Sequence, residues 1–285
     1  GQKLSRLMSE GPEADLTLTE YAQPALMGVS LAVLRTLERE FGVGVEKAAF
    51  VAGHSLAEYS ALAAAGAISL SDTAPLLKLR GQAMQRAVPV GQGAMASLIG
   101  PKADVALAED AARAGSAMGV CVVANDNNAG NVVISGDKAA VDAAIEKAKE
   151  LGARAILLNV SAPFHCPLMQ PAADEMAEAL AAATIVAPRA PLVANVVARP
   201  TNDPETIRRM LVEQVTGRVR WRAPSRPGSG PAPSLPLQRH RSPKPGTMRR
   251  RCRCAAPTAA SRGSRRSPAR DHGNAPGPDL VEQPG

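Results

Sequence analysis

The stretch Val51-Ala52-Gly53-His54-Ser55-Leu56-Ala57-Glu58-Tyr59-Ser60 decides the fold. The apolar run over residues 48–52 predicts a short buried strand, and the alanine-rich run over residues 61–65 predicts a helix. A serine between a strand and a helix, with glycine two residues before it and alanine two residues after it, is typical of a nucleophile elbow. This turn exposes the hydroxyl above the sheet, where the helix N-terminus stabilises negative charge. The alternative is that Ser55 only caps the helix, as serines often do.

The composition indicates an intracellular protein without a disulfide framework. The 285 residues can form one or two domains with a sizeable core. The sequence contains no run of 18 apolar residues and no signal peptide, so neither a membrane span nor a membrane partner is expected. The four cysteines are few and scattered, and the spacing of Cys252 and Cys254 does not suit zinc. We expect a cytoplasmic monomer, no metal site, and a chain whose N-terminus is incomplete because it starts at Gly1 rather than at methionine.

The positive net charge comes from the last part of the chain. Residues 223–285 hold 12 of the 33 Lys and Arg residues but only 3 of the 26 Asp and Glu residues. They also hold 12 of the 24 prolines and no aromatic residue, a composition that predicts disorder. Residues 1–222 carry 21 basic and 23 acidic residues, so the predicted folded part is slightly acidic.

The periodicity of residues 1–222 predicts an α/β fold. A helix is predicted around residues 26–37, with Pro24 in its first turn, and another from Ser69 or Ser71 to Met84. Residues 92–157 follow the order β-α-β-β-α-β, with an Asn-rich turn at 125–130 and Asp137 as a helix cap, which is the order of a ferredoxin-like unit. Further along, helices are predicted at 169–183 and around 207–215, with a strand at 192–196 between them. We therefore divide the chain into a large subdomain (1–91 and 158–222), an inserted ferredoxin-like subdomain (92–157) and a basic tail (223–285).

Histidine content limits the choice of a base for Ser55. Two of the four histidines lie in the basic tail, which leaves His54 and His165. His54 adjoins Ser55 in the turn, so its side chain should point away from the hydroxyl. His165 lies in a proline-flanked loop after a predicted strand, where functional side chains are common. We therefore pair Ser55 with His165; the alternative is that His165 is an ordinary loop histidine.

Five blocks of sequence resemble the malonyl-CoA:acyl carrier protein transacylase family. They stand in the family's order at residues 53–62 (GHSLAEYSAL), 80–85 (RGQAMQ), 93–96 (GAMA), 124–136 (ANDNNAGNVVISG) and 162–166 (APFHC). The resemblance covers about residues 1–222 and implies an α/β-hydrolase-like large subdomain with a parallel sheet and an inserted ferredoxin-like subdomain. It also implies transfer of a malonyl group from malonyl-CoA to the phosphopantetheine thiol of acyl carrier protein, for fatty acid or polyketide synthesis, with no further cofactor.

The resemblance also assigns roles to single residues. Ser55 is the implied nucleophile, His165 its base, the Leu56 N–H an oxyanion donor, and Arg80 the partner of the malonyl carboxylate. Phe164 matches malonyl-selective members, and His54 is expected to support the turn. The remaining residues expected to line the acyl pocket are Gln23, Met95, Asn125 and Asn127. For each of these the alternative is an ordinary packing, turn or solvent-exposed role.

Two departures from the family bear on activity. The family's N-terminal Gly-Gln-Gly-Ser-Gln-type loop, whose glutamine N–H completes the oxyanion hole, would lie before Gly1. After Arg222 the sequence changes abruptly to Arg, Pro, Ser and Gly, which we interpret as a translated frameshift. The family residue whose carbonyl orients the catalytic histidine is therefore expected to be missing, and an inactive acyltransferase-like chain is one alternative.

Two other functional classes remain open at this stage. The cluster Arg249-Arg250-Arg251 could bind nucleic acid phosphates, although the tail has no aromatic residue for base stacking, so nucleic acid is not the expected partner. The same elbow would also serve a serine hydrolase or thioesterase. Arg80 distinguishes the latter case, because a hydrolase of neutral esters does not need a guanidinium in its site.

Overall fold

The structure, a computed structural model, describes residues 3–222; the predicted disordered tail and its Arg cluster lie outside the described residues. The helices of this part are α1 (Leu4–Glu10), α2 (Glu13–Thr17), α3 (Thr19–Phe41), α4 (Ala57–Ala64), α5 (Leu70–Ala87), α6 (Val105–Gly115), α7 (Lys138–Glu150), α8 (Gln170–Ala182) and α9 (Pro204–Thr216). The strands are β1 (Gly93–Ile99), β2 (Cys121–Asn128), β3 (Asn131–Asp137), β4 (Arg154–Leu157), β5 (Leu192–Ala194) and β6 (Arg199–Thr201). Among these helices none is long and apolar enough to cross a membrane.

The strands β1 to β4 and the helices α6 and α7 form the ferredoxin-like subdomain. The sheet order is β2-β3-β1-β4, and all three pairings are antiparallel. On one face, alanines of α6 and α7 pack against Ala96 and Leu98 of β1, because small side chains let the helices approach the sheet closely. Because successive side chains of a strand point to opposite faces of the sheet, Met95 lies on the other face, where it packs with Ala124 and Phe164. This second face is the side of the sheet that lies toward the candidate site.

Helices α3, α4, α5, α8 and α9 enclose the core of the large subdomain. Ile207, Leu211 and Val215 are fully buried on one face of α9, as their spacing predicts. They share a core with apolar side chains of α4, α5 and α8, namely Leu62, Leu77, Met84, Met176 and Leu180. At the N-terminus of α5, the Ser69 hydroxyl accepts a hydrogen bond from the Asp72 N–H, so Ser69 is the N-cap.

Several local predictions for the large subdomain are wrong in detail. Residues 48–52 do not form a buried strand: residues 48 and 49 are exposed, and only Val51 pairs, in parallel with Leu192. The reason is that a strand needs a hydrogen-bonding neighbour along its length, and within residues 3–222 the only backbone hydrogen bonds from this segment to a distant one join Val51 to Pro191 and Val193. The strand predicted at 192–196 ends at Ala194. Pro24 lies inside α3 rather than in its first turn, because the helix begins earlier, at Thr19.

Two predictions for the inserted subdomain also need correction. Asn125 and Asn127 are part of β2 rather than of a turn, and only Ala129 and Gly130 connect β2 to β3. Backbone pairing with β3, and a parallel bridge from Asn125 to Val219, override the turn preference of asparagine. The carboxylate of Asp137 accepts from the Val120 N–H instead of capping α7. The borders of the subdomains at residues 92 and 157 remain a prediction.

Candidate active site

Ser55 occupies a strained turn that its neighbours enforce. Its φ of 54° lies in the left-handed region, which non-glycine residues rarely adopt. A Cβ added at Gly53 would overlap the carbonyl of Ala57, so only glycine allows the chain to turn this closely before α4. The turn therefore has the backbone geometry of a nucleophile elbow, with the side chain of Ser55 outside the hydrogen bonds of helix and sheet.

The structure brings Ser55 and His165 together from segments that are far apart in sequence. Ser55 Oγ lies 2.8 Å from His165 Nε2. The other ring nitrogen, Nδ1, lies 2.8 Å from the carbonyl oxygen of Gln214. A carbonyl can only accept, so Nδ1 carries the proton and Nε2 is left to accept the hydrogen bond from the Ser55 hydroxyl. The expectation that no carbonyl would orient His165 is therefore wrong: α9 supplies one at Gln214, ahead of the abrupt change in composition.

The electrostatic environment keeps His165 neutral. Burial and, to a lesser extent, the nearby Arg80 guanidinium lower the pKa of His165 to about 3. Both effects disfavour the imidazolium, since charge is costly away from water and a second positive charge repels it. His165 is 3 % exposed, and its ring is unprotonated throughout the neutral range. His165 thus has the protonation state, the tautomer and the contact of a general base toward Ser55.

Arg80 is a buried cation whose partners are neutral. The side chain is 1 % exposed, and burial lowers its pKa. Nη1 donates to Gln23 Oε1 at 2.8 Å, while Nη2 donates to Gln214 Oε1 at 2.8 Å and to Ser55 Oγ at 3.2 Å. Its Nε is buried with no hydrogen-bond partner within residues 3–222. No described carboxylate lies within ion-pair distance of Arg80, so its charge is available to an anionic ligand beside Ser55.

The backbone N–H groups of the elbow differ in availability. The Ser55 N–H donates to Asn195 Oδ1 at 2.7 Å and is therefore engaged. The Leu56 N–H has no acceptor among the described residues. Because it follows the serine at the start of α4, this free donor has the position of an oxyanion-hole group.

The other predicted pocket residues fall into two groups. Gln23, through Arg80, belongs to the network around Ser55, and Phe164 is adjacent to His165 and packs with Met95. His54 points to the other subdomain: its Nε2 lies 2.9 Å from Asn127 Oδ1, and its ring packs edge-on against Trp221 with centroids 5.4 Å apart. Asn125 is buried with its Nδ2 unpartnered. No hydrogen bond within residues 3–222 joins Asn125, Asn127 or Met95 to Ser55, His165 or Arg80.

Sequence reasoning missed three buried polar residues that hold this arrangement. Asn195 accepts from the Ser55 N–H and donates Nδ2 to the Gly53 carbonyl at 2.8 Å. Gln214 contacts both His165 and Arg80, and it donates Nε2 to the Ser55 carbonyl at 3.0 Å. Glu58 accepts from Gln214 and from the Asn195 N–H. A signal was present for two of them: Glu58 and Gln214 each stand at a helical spacing that belongs to the apolar face of their helix.

Other sites in the described region are less complete. A cleft of about 600 Å³ beside α3 and α5 is lined by residues such as Arg35, Asp72 and Arg189, and contains none of the residues above. Residues 3–222 include no cluster of three His, Cys, Asp or Glu side chains arranged for a metal ion. The candidate active site is therefore the constellation of Ser55, His165 and Arg80.

Comparison with known proteins identifies the family of the chain. The acyl transferase domain model matches residues 1–224. The chain belongs to the acyl transferase domain family. The malonyl CoA-acyl carrier protein transacylase of Bacillus subtilis strain 168 is 44% identical over 220 residues, a match covering 77% of this chain and 68% of the relative.

Solved structures of acyl transferase family members are similar over the same part of the chain. The acyl-carrier-protein-S-malonyltransferase from Bartonella henselae is 56% identical, with a TM-score of 0.73, and the match covers 77% of this chain and 70% of that one. A type II PKS acyl-carrier protein in complex with its malonyl-transacylase gives a TM-score of 0.74 at 40% identity, covering 78% of this chain and 70% of that one. The two-subdomain α/β fold predicted from the sequence is thereby confirmed. The parallel sheet expected in the large subdomain is not formed within residues 3–222, where β5 and β6 pair antiparallel and only Val51 bridges in parallel to Leu192.

Proposed function

We propose that this chain transfers a malonyl group from malonyl-CoA to the phosphopantetheine thiol of acyl carrier protein through a malonyl-serine intermediate. One observation carries the proposal: Ser55 Oγ is in hydrogen-bond contact with both the neutral base His165, at 2.8 Å, and the buried cation Arg80, at 3.2 Å. The first contact suits acyl transfer, and the second suits an acyl group with a free carboxylate. The names of the relatives, malonyl transacylase and malonyltransferase, support the same reaction.

The first half-reaction forms the acyl-enzyme. His165 Nε2 accepts the hydroxyl proton while Ser55 Oγ attacks the thioester carbonyl of malonyl-CoA. The Leu56 N–H donates to the oxyanion of the tetrahedral intermediate, and one such donor typically lowers the barrier by about 3–4 kcal/mol. When the intermediate collapses, the carbon–sulfur bond breaks and the coenzyme A sulfur takes the proton from His165.

The second half-reaction is the reverse with a different thiol. The phosphopantetheine thiol of acyl carrier protein gives its proton to His165 and attacks the malonyl-serine ester. The ester oxygen of Ser55 leaves and recovers the proton, which restores the free enzyme. Between the two half-reactions water has to be excluded from the malonyl-serine ester, because hydrolysis would give free malonate instead of transfer.

Arg80 is the proposed specificity group. Its planar guanidinium can bind the malonyl carboxylate through two parallel hydrogen bonds and keeps its charge at any physiological pH. An acetyl or long-chain acyl group would leave the charge unpaired in a buried site. Phe164, which packs with Met95, is expected to limit the space for a branch next to the carboxylate.

The wider role remains a set of predictions. The product would supply fatty acid or polyketide synthesis, with acyl carrier protein as the partner and no cofactor beyond the two substrates, malonyl-CoA and the phosphopantetheinylated carrier protein. The cytoplasmic location, the monomeric state and the domain division at residues 92–157 are likewise predictions that rest on the sequence.

Intact-mass spectrometry after mixing the protein with malonyl-CoA tests the proposal. We expect a malonyl adduct that is absent in Ser55→Ala and that moves to the thiol of added phosphopantetheinylated carrier protein. Acetyl-CoA should label poorly. A wild-type protein without an adduct would support the inactive alternative, and an adduct released as malonate faster than it is transferred would favour a hydrolase.

A further inference from the structure

Glu58 is a buried acid at the back of the candidate site. It is the second residue of α4 and is fully buried, and no other acidic side chain within residues 3–222 is buried. Its Oε1 accepts from the backbone N–H of Asn195 at 3.2 Å, and its Oε2 accepts from Gln214 Nε2. The carboxylate makes no hydrogen bond to Ser55, His165 or Arg80, so it has no direct part in the proposed chemistry.

The two partners of Glu58 hold the reacting groups. Asn195 binds the elbow through the Ser55 N–H at 2.7 Å and the Gly53 carbonyl at 2.8 Å. Gln214 receives the His165 Nδ1–H on its backbone carbonyl and an Arg80 N–H on its Oε1, each at 2.8 Å. Glu58 thus joins Asn195, which holds the nucleophile turn, to Gln214, which holds the base and the cation, and it does so beside the direct hydrogen bond from Gln214 Nε2 to the Ser55 carbonyl.

Three neighbours together fix the orientation of the Gln214 amide. The ionised Glu58 carboxylate and the Ser55 carbonyl only accept, so the NH₂ group of Gln214 has to face them, and its oxygen has to face Arg80, which only donates. A protonated Glu58 carries one O–H, which faces either the Asn195 N–H or the Gln214 NH₂, so one of these two donors loses its acceptor. Rotation of the Gln214 amide would relieve a conflict at Gln214, but its oxygen would then leave Arg80 and face the Ser55 carbonyl.

Burial makes this orientation sensitive to pH. Desolvation raises the pKa of Glu58 to about 7, while the hydrogen bonds from Gln214 and Asn195 and the charge of Arg80 oppose the rise. The other shifted groups around the site do not gain or lose charge near pH 7: burial lowers the pKa of His165 to about 3 and that of His54 below its ordinary value of 6.5, and burial raises that of Tyr59 above its ordinary value. A change of the site near pH 7 is therefore expected from Glu58.

We propose that Glu58 is a positioning residue, which through Gln214 and Asn195 holds Ser55, His165 and Arg80 in their reactive arrangement. This role rests on the proposed function only in its use of the Ser55–His165 pair, and not in the identity of the acyl group. Its test can therefore use a reagent that reacts with an activated serine whatever the natural substrate is.

The probe is phenylmethanesulfonyl fluoride, which sulfonylates an activated serine and releases fluoride. The modification rate of Ser55 is measured on the full chain between pH 5.5 and 8.5 by intact mass, with the melting temperature recorded for each protein. In the wild type we expect the rate to rise through pH 7 as Glu58 ionises. In Glu58→Gln the new NH₂ group faces either the Asn195 N–H or the Gln214 NH₂, so two donors oppose each other. We expect this variant to be modified at Ser55 about ten- to a hundredfold more slowly than the wild type, with no rise of the rate near pH 7.

Glu20→Gln is the matched control. Glu20 also accepts from a glutamine, Gln82 Nε2 at 3.1 Å, but it belongs to no contact of the site. Its rate and pH profile should equal those of the wild type. A Glu58→Gln protein that folds and matches this control would overturn the proposal, because a purely structural acid would change the melting temperature and leave the pH profile intact.

Glu58→Asp keeps the test decisive if Glu58→Gln does not fold. This variant keeps a carboxylate that only accepts, on a shorter side chain, so it should fold, react more slowly than the wild type and keep a rise of the rate with pH; a rate and profile equal to those of the wild type would overturn the proposal. A wild-type rate that stays flat between pH 6 and 8 would also overturn the proposal, without any variant. Labelling with malonyl-CoA in parallel separates the two ideas: reaction with the sulfonyl fluoride but not with malonyl-CoA would contradict the proposed function alone.

Discussion

Replacing Asn195 with alanine should both destabilise the protein and slow acylation of Ser55. The side chain is 3 % exposed and makes two hydrogen bonds, one to the Ser55 N–H at 2.7 Å and one to the Gly53 carbonyl at 2.8 Å. Alanine would leave both backbone groups without partners in a buried turn. The turn depends on these bonds, because the left-handed φ of Ser55 is unfavourable for a non-glycine residue.

The magnitude follows from the two orphaned groups. A buried backbone donor or acceptor that loses its partner costs about 1–3 kcal/mol, so the free energy of unfolding should fall by roughly 2–6 kcal/mol. For a domain of this size each kcal/mol lowers the melting temperature by about 2–4 °C, so a fall of at least about 4 °C is expected. A shift of the reacting hydroxyl by about 1 Å typically costs a hundredfold in rate, and we expect an effect of that order on acylation.

The assay measures the rate of adduct formation from malonyl-CoA by quenched intact mass, together with thermal unfolding. Asn195→Asp separates the two contacts, since it keeps an acceptor for the Ser55 N–H but places a second acceptor against the Gly53 carbonyl; it should fall between alanine and the wild type. Asn202→Ala is the control, because Asn202 is exposed and its side chain makes no hydrogen bond within the described residues. An Asn195→Ala protein with a wild-type melting temperature and acylation rate would refute the role assigned to this residue.

Two further predictions concern the charged groups of the site. Arg80→Ala should reduce labelling by malonyl-CoA about tenfold or more relative to labelling by acetyl-CoA. Arg80→Lys should give an intermediate ratio, because it keeps the charge but not the planar guanidinium. Equal losses of labelling for both thioesters would contradict a contact between Arg80 and the malonyl carboxylate. His165 has a pKa that is lowered in the folded state to about 3, so the folded protein binds fewer protons than the unfolded chain between about pH 3 and 6.5, and its stability should rise with pH there. Urea unfolding should therefore show the wild type gaining several kcal/mol over this range relative to His165→Ala, since one pKa unit corresponds to roughly 1.4 kcal/mol; a constant difference between the two proteins would contradict the lowered pKa.

The periodic spacing of apolar residues predicted those helices and strands whose buried face is encoded within their own sequence. The β-α-β-β-α-β order of the inserted subdomain and the buried face of α9 are present because each is encoded by local alternation or by helical spacing. The errors occur where distant segments decide. Residues 48–52 are apolar enough for a strand, but only Val51 finds a partner, at Leu192. Asn125 has the propensity of a turn residue, yet its pairing with β3 and Val219 places it in a strand.

The residues of the candidate site also divide into those with a local sequence signal and those placed by distant segments. Ser55, His165 and Arg80 could be named from the sequence because their chemistry is rare or because they lie in motifs. Asn195 could not, since an asparagine after a short strand has many possible roles and its contact with the elbow spans 140 positions. Gln214 illustrates the cost of reasoning from composition: the change of character after Arg222 suggested that the carbonyl for His165 was lost, while α9 ends before that change.

The choice of partners around Arg80 is itself informative about the ligand. A buried guanidinium is ordinarily neutralised by a carboxylate, because an unpaired charge is costly away from water. Here its acceptors are the amide oxygens of Gln23 and Gln214, and the nearest buried acid, Glu58, is held one amide further away. Amides satisfy the hydrogen bonds without cancelling the charge, so the positive potential next to Ser55 is kept for a ligand. A direct ion pair would have cancelled this potential and left little attraction for a free carboxylate, which is why the arrangement favours a malonyl over an uncharged acyl group.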